Sequence, residues 1–533
     1  MTDPSPVHRS PLGRATIGDQ LRRHALNQPD KNAVVSYTAD GERLVCTYAE
    51  LDRRANRVAH AFLAHGVGRG DRVAVMSRNR AETVVAYYAA LKIGASFTGI
   101  NPMFRSDEVL QQLAHAEPAV LVVARELLPV VDPVLGKAPV PLAVVLGDTA
   151  PDGPGGPWIA WAALHEGRPE TEPECEVDEN DLALIVYTSG TESAPKGVMI
   201  PHRNYMISTT PSWTWGLRVT PDDVWLFAMP FHSIAGIGCL TSLTLIGATV
   251  VLPSSLEPGV TLATIRDEQV NVVAQTPTLF LSLCRHPLFG PASVGSVQRC
   301  LTYGGMLSQF ATDAWANAAP GMVWGTYWGQ GELTQLGSVG FFRTLAEVPD
   351  EDPTWIGKAV PHLETRVVGP DGQDAEIGEL WCRSPSAMVG YYKEPEKTAA
   401  VMRDGWIHTG DIVRVDADRN LFFYDRSKDV IKTGGLNVSS QEVERVLQRH
   451  PAVLRSAVVG LPDDYWSEVV TAFVILQDGA GVAESDLIAH CKASMASYKA
   501  PKSVRIVEAF PTDAQGKVLK RELRASRSTE EVR

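Results

Sequence analysis

The strongest constraint on this chain is an alternation of helical and extended apolar segments that begins near residue 47 and recurs through most of its length. Thr47 and Glu50 have capping-box spacing, and Leu51, Ala55, Val58, Ala59 and Phe62 then fall on one helical face until Gly66 interrupts it. A short apolar run at 72–77, a helical stretch at 81–92 and a second run at 95–100 follow. Strand, helix and strand in this order predict parallel pairing with a right-handed crossover. Runs at 120–123, 143–146, 248–252 and 270–273 extend the pattern. The chain is expected to form a large N-terminal α/β domain built on parallel sheets.

At 533 residues it is too long for one small core, and length suggests between about two and four domains. Stretches 148–156, rich in Pro and Gly, and 170–181, rich in acid, read as surface loops. Between 354 and 424 the character changes to short strands such as Glu379-Leu-Trp-Cys382, with turn pairs at Asp371-Gly372 and Asp404-Gly405. After Asp425 come a helical stretch at 441–449, extended runs at 457–460 and 470–476, and a helix at 484–494. This predicts an N-terminal domain over 1–425, with a β subdomain at about 354–425, and a small α+β C-terminal domain over 426–533. There is no internal repeat and no low-complexity segment.

Composition excludes some functions. With 44% hydrophobic and 21% charged residues the chain should fold, and a formal net charge of -13 opposes binding to nucleic acid. The seven cysteines are scattered, without CxxC pairs or nearby histidines spaced for a metal, which reads as a reducing, cytoplasmic setting. The first residues lack an apolar signal region, and the last four carry no targeting tripeptide. The uncharged stretch 233–252 raises a membrane question. Interruption by Gly, Ser and Thr, and a strand-like tail after Gly247, argue against a span. Assembly is not legible, a homodimer included.

The chemistry concentrates first in Tyr187-Thr-Ser-Gly-Thr-Glu-Ser-Ala-Pro-Lys-Gly197, directly after the apolar run 182–186. A strand feeding small and hydroxyl residues, with one lysine, lets backbone approach and cradle phosphates. The GxxxxGK[ST] spacing of a Walker loop is absent, and an ordinary surface loop is the plain alternative.

This segment resembles the phosphate loop of the ANL superfamily, which contains acyl-CoA synthetases, peptide-synthetase adenylation domains and luciferases. Six further segments resemble its motifs in the same order, within residues 44–524. They are Pro230-Phe-His232 at the acyl pocket, Tyr303-Gly-Gly305 at the adenine, and 327–332 beside magnesium and phosphate. His408-Thr-Gly-Asp411 follows at the ribose, Asp425-Arg-Ser-Lys428 at the hinge, and 511–517 as the loop with the adenylating lysine. The resemblance implies an acyl-CoA synthetase that joins a carboxylic acid to coenzyme A through an acyl-AMP intermediate, using ATP and Mg²⁺, with a mobile C-terminal domain.

It also implies roles. Lys517 would supply charge to the carboxylate and α-phosphate, since the transition state is stabilised mainly by electrostatics. Glu332 would hold magnesium, which prefers one or two carboxylates plus phosphate oxygens. Thr188, Ser189, Gly190, Thr191, Lys196, Gly304, Gly305 and Tyr327 would hold the nucleotide, and Asp411 and Arg426 its ribose, unless that pair is only a structural salt bridge. His232 would line or gate the acyl channel, or be a satisfied core histidine. Ile237, Tyr303, Met306 and Gly329, with Ile234, Ala235 and Trp324, suggest an apolar pocket for a fatty chain, an aryl acid or a polycycle. Lys428 would be the pivot. Gly434 and Gly435 would line the pantetheine tunnel, or form a plain hairpin turn, and Trp466 would stack on the coenzyme A base or be half-buried core.

Two positions depart from the family pattern. Glu192 and Ser193 stand where the phosphate loop usually has Thr and Gly, and Gly331 precedes Glu332 where Thr is usual, with a bulky Trp328 after Tyr327. Both changes remove a phosphate-facing hydroxyl. Three rivals stand beside the complete ligase, the first of them raised by these departures. One is an enzyme that only transfers preformed acyl-AMP to coenzyme A, another loads a carrier protein, and the third is a catalytically silent nucleotide or acyl-AMP binder.

Overall fold

A computed structural model describes residues 14–38, 41–151, 158–188, 196–303, 307–427, 429–433, 436–463, 465–512 and 518–525. The chain divides into two compact units. One comprises Met1–Pro353, Gly357–Glu364 and Arg383–Ile407, the other Thr354–Ile356, Thr365–Cys382 and His408–Arg533. Strands from the region expected to be a β subdomain therefore group in part with the C-terminal residues.

The first unit is α/β with parallel sheets. In one sheet the described strands run in the order Gly390–Tyr391, Lys196–Pro201, Leu182–Thr188, Ser96–Ile100, Arg72–Met76, Val120–Ala124, Leu142–Leu146 and Trp158–Ala160. Those from Leu182–Thr188 onward pair in parallel. In the other, Val323–Trp328, Arg299–Thr302, Val272–Gln275, Val224–Leu226, Thr249–Val251 and Asn32–Tyr37 are successive parallel neighbours. Helix Ala81–Lys92 touches strands of both sheets and is buried from Thr83 to Lys92, which is why its sequence is apolar all round. Each large apolar side chain on it contributes about 1.5–3 kcal/mol by burial. At its end the buried Lys92 ammonium lies 2.9 Å from Asp52 Oδ1 and also pairs with Glu172, so its charge is compensated.

Helix Tyr48–Ala64 begins as expected, with the Thr47 hydroxyl accepting from the Glu50 N–H. The 233–252 stretch becomes a π-turn at Ile234–Gly238, a helix at Cys239–Ile246 and a strand at Thr249–Val251. The break between the last two is Gly247, at φ +94°. Among the described residues no helix is long and apolar enough to cross a membrane.

In the second unit, Val453–Asp463 and Ser467–Leu476 form an antiparallel pair that Ser503–Ile506 joins in parallel. Helices Ser440–Gln448 and Glu484–Ser494 contribute to its core. Several of its buried charges form one network. Lys520 Nζ lies 2.8 Å from Glu444 Oε1 and donates to Ser440 Oγ, whose own N–H and hydroxyl donate to Asp425 Oδ2 at 2.7 Å each.

One buried histidine makes the first unit acid-sensitive. His202 is fully buried, its Nδ1 accepts from the Ile17 N–H at 3.3 Å, and burial lowers its pKa from 6.5 to about 4. The unfolded chain then binds the proton first as pH falls, so stability is full above about pH 6.5 and declines toward pH 4. The loss should approach ~3 kcal/mol at about 1.4 kcal/mol per unit. Urea unfolding as a function of pH checks this, and His202→Gln should flatten the dependence across that window.

Candidate active site

Four neighbouring parallel strands deliver their carboxyl ends to one region, the usual location for ligands in an open α/β sheet. Val224–Leu226 leads into Pro230-Phe-His232, Val272–Gln275 ends on Gln275, Arg299–Thr302 immediately precedes Tyr303, and Val323–Trp328 immediately precedes Gly329. Tyr303 and Tyr327 lie with ring centroids 5.2 Å apart, and the Tyr303 hydroxyl donates to Gln275 Oε1 at 3.1 Å. Tyr327 belongs to the same buried cluster as Ile237, Cys239 and Leu336, with Ile234, Ala235 and Tyr303 packed against it. Trp324 is three residues earlier, on the opposite face of the strand, and packs with Phe280 and Trp315.

The His232 turn is held by Asn79 from another segment and by a local bond of Ser233. Asn79 accepts from the Phe231 N–H and donates to the Met229 carbonyl, while the Ser233 hydroxyl donates to the Pro230 carbonyl at 2.9 Å. A Cβ on Gly236 would sit 1.9 Å from the Pro230 oxygen, and one on Gly99 would sit 2.4 Å from His232 Cα. Two glycines thus allow backbone to pack where side chains cannot fit. Burial lowers the His232 pKa to about 4, which keeps the ring neutral at ordinary pH.

Glu332 sits on a tightly folded connection between Val323–Trp328 and Ser338–Phe342. Gln330 accepts from the Gln335 N–H at 2.9 Å, and Trp328 accepts from the Gly337 N–H at 2.8 Å. Thr334 and Gln335 both take left-handed backbone, at φ +55° and +86°. Such conformations cost of order 1–3 kcal/mol each and persist only where surroundings enforce them. Here the Thr334 hydroxyl donates to the Ser386 carbonyl at 2.5 Å and accepts from buried Asn204, which also donates to the Ser386 and Ala387 carbonyls. A Cβ on Gly329 would lie 1.5 Å from the Gln335 oxygen, so only glycine fits there. Tyr391 completes the arrangement by donating to Glu332 Oε1 at 2.7 Å.

Lys196 starts the strand paired with both Leu182–Thr188 and Gly390–Tyr391, and its Nζ lies 5.4 Å from the Tyr391 ring centroid. Thr188 is its cross-strand partner. Lys196, Tyr391 and Glu332 therefore occupy one locality although they are far apart in sequence. Sequence reasoning missed Tyr391, Asn204 and Thr334, which position the acid from strands and loops with no local signature. Ser189, Gly190, Thr191, Glu192, Ser193, Gly304, Gly305, Met306, Lys428, Gly434, Gly435 and Lys517 lie outside the described residues.

In the second unit Asp411 and Arg426 are cross-strand partners, with Arg426 Nε 2.6 Å from Asp411 Oδ1. Asp411 is fully buried. The pair is an ion pair as it stands, and a guanidinium has further N–H groups with which to meet a sugar. Trp466 is 39% exposed at a hairpin tip, beside the still more exposed Tyr465. The N–H groups of both residues donate to Asp463 Oδ1, and Lys502 Nζ lies 5.3 Å from the Trp466 centroid. Thr433 pairs with Leu436 across Gly434 and Gly435.

Comparison with known proteins bears on the family and the fold. The AMP-binding enzyme family matches residues 21–392, and the AMP-binding enzyme C-terminal domain matches residues 442–517. A feruloyl-CoA synthase of an Amycolatopsis species is 33% identical over 493 residues, covering 90% of this chain and 93% of its own. A crystal structure of an anthranilate CoA ligase in complex with anthranoyl-AMP superposes with a TM-score of 0.86 at 26% identity, covering 96% of both chains. ATP-bound MatB from Rhodopseudomonas palustris gives a TM-score of 0.83 at 28% identity, covering 96% of this chain and 98% of the other.

Gly99→Ala should push the His232 turn away, because its methyl would collide with His232 Cα, and should destabilise the unit by ~1–3 kcal/mol. The His232 ring, followed by NMR, should titrate near 4 in the parent and closer to 6.5 in the variant as water reaches it.

Proposed function

The chain belongs to the AMP-binding enzyme family as an AMP-forming acid–CoA ligase, and from that premise we propose that its substrate is a hydrophobic carboxylic acid activated in two steps. A carboxylate oxygen attacks the α-phosphorus of ATP, the bond to the bridging oxygen breaks, and pyrophosphate leaves with the electron pair. The coenzyme A thiol then attacks the acyl carbon, loses its proton, and displaces AMP.

The observation that most supports this reading is the fixed placement of Glu332 by Tyr391, close to Lys196. Among the described residues no three His, Cys, Asp or Glu side chains gather as a metal site. A divalent ion would therefore rely on Glu332 and phosphate oxygens, the mixture Mg²⁺ favours. Mg²⁺ would supply charge neutralisation of the polyphosphate when bound. Lys196 and Thr188 begin and end the strands flanking the phosphate loop, whose Ser189, Gly190 and Thr191 complete the cradle with Gly304 and Gly305. Asp411 and Arg426 take the ribose, Lys517 the carboxylate and α-phosphate. His232, Ile237, Tyr303, Met306 and Gly329 line the acyl side, with Tyr327 at its border. The proposed division at 425/426 makes Lys428 the hinge residue, with Gly434 and Gly435 on the pantetheine path.

Gly331 supports a second reading. It is buried and brings no hydroxyl to the phosphates, and Glu192 adds an anion in the phosphate loop. At about 4 Å, an effective dielectric near 20 gives about 4 kcal/mol of repulsion per unit charge. On this reading the enzyme takes preformed acyl-AMP.

One assay separates the readings. Pure protein receives either ATP, Mg²⁺ and a panel of hydrophobic acids, or the matching acyl-adenylates, with coenzyme A in both arms. Pyrophosphate and thioester in the first arm are expected. Thioester in the second arm alone establishes the single-step reading, and silence in both overturns the ligase.

Trp466→Ala should weaken coenzyme A binding by ~1–3 kcal/mol, the range for losing stacking on a base, and leave acyl-AMP affinity nearly unchanged. Titration calorimetry with each ligand checks this, and equal losses would reduce Trp466 to a packing residue.

A further inference from the structure

From the row of polar groups beside Tyr327 we infer that Tyr205 reads the far end of the acyl group, and that the substrate is an acid carrying a hydrogen-bonding oxygen remote from its carboxylate. The inference rests on the ligase reading and narrows it. Tyr205 lies on helix His202–Thr209 and is fully buried, yet among the described residues its hydroxyl has no hydrogen-bond partner. A buried hydroxyl left unpaired is a standing cost, since a phenylalanine there would fill the same space without it.

The location of that hydroxyl points to a ligand. It lies 3.1 Å from where a Cβ on Gly238 would be, and the Gln335 side chain lies 2.8 Å from the same point. Gly238 closes the π-turn Ile234–Gly238, which starts two residues after His232 and carries Ile237. The Gln335 amide fits best with its nitrogen donating to the Gly238 carbonyl and its oxygen accepting from the Cys239 N–H, each at 3.2 Å. Cys239 is near enough to the hydroxyls of both Tyr205 and Tyr327 to oppose their ionisation, as Tyr303 is for Tyr327. Tyr303 in turn donates to Gln275. Tyr205, Gln335, Cys239, Tyr327 and Tyr303 thus form a polar seam within an otherwise apolar cluster, leading inward from the residues that follow the strand ends.

Burial pushes the Tyr205 pKa up, so the phenol stays protonated and available as a donor. A hydroxyl or carbonyl oxygen on the acid would satisfy it. The helix carrying Tyr205 continues directly into a second π-turn, Thr210–Gly216.

The test compares the full-length parent and Tyr205→Phe on matched acids, para-hydroxycinnamic against cinnamic and ω-hydroxydodecanoic against dodecanoic, with thioester formation as readout. The parent should favour the hydroxylated member of at least one pair by ~10-fold or more in kcat/KM, because a site built to bond an oxygen rejects its absence. In Tyr205→Phe that ratio should collapse toward one by loss on the hydroxylated acid, while Tm stays level or rises because no protein hydrogen bond has been removed. A lowered Tm with the ratio intact would make the hydroxyl structural and overturn the inference, as would a parent without preference in either pair. No thioester from any acid, with ATP or as acyl-adenylate, would remove the ligase reading and this one with it.

Discussion

Parallel strands must be covered on both faces, and in the first unit much of that covering is shared. Helix Ala81–Lys92 meets strands of both sheets at once, so a single apolar helix is buried from two sides. Its Tyr87 and Tyr88 hydroxyls bond to Thr241 and Thr244 of helix Cys239–Ile246, the helix that continues directly from the π-turn after His232. Packing in the middle layer and the position of the His232 turn are therefore mechanically connected. Lys92 would be intolerable in that layer without Asp52 and Glu172 beside it.

From this frame the site follows with little further design. Parallel strands end on the same side, so the residues after their carboxyl ends converge whatever loops intervene. His232, Tyr303 and Gly329 come from three separate segments, each following the carboxyl end of such a strand. What the strand ends do not supply is orientation. Glu332 is oriented by a strained turn that Asn204 and Ser386 hold in place, and by the Tyr391 hydroxyl. Left-handed backbone of this kind fixes a neighbouring side chain without spending a larger element on it.

Much of the architecture was legible beforehand because it rests on local patterns. Helix 81–92, the helix capped by Thr47 and the helix at 484–494 agree with their expected bounds to within a residue or two. The π-turns at Thr210–Gly216 and Ile234–Gly238 were not legible, since their apolar and small residues suit an ordinary helix equally well. Trp324 and Tyr327 illustrate the same limit at one strand. Both are apolar and adjacent to the motif, but an odd separation sends them to opposite faces, and only pairing with Arg299–Thr302 settles which face meets Tyr303.

The sequence by itself determined the α/β class, the family and the ordered motifs, because periodicity, caps and phosphate loops are short-range properties that survive without knowledge of neighbours. Tertiary structure alone decided which groups share a locality. Tyr391 lies 59 residues from Glu332, and Tyr205 is likewise remote in sequence from Gln335. Such placements depend on strand register and on glycines that allow close approach, of backbone at Gly99 and Gly329 and of the Tyr205 and Gln335 side chains at Gly238. A glycine in the sequence says only that close approach is allowed, and the fold selects what approaches it.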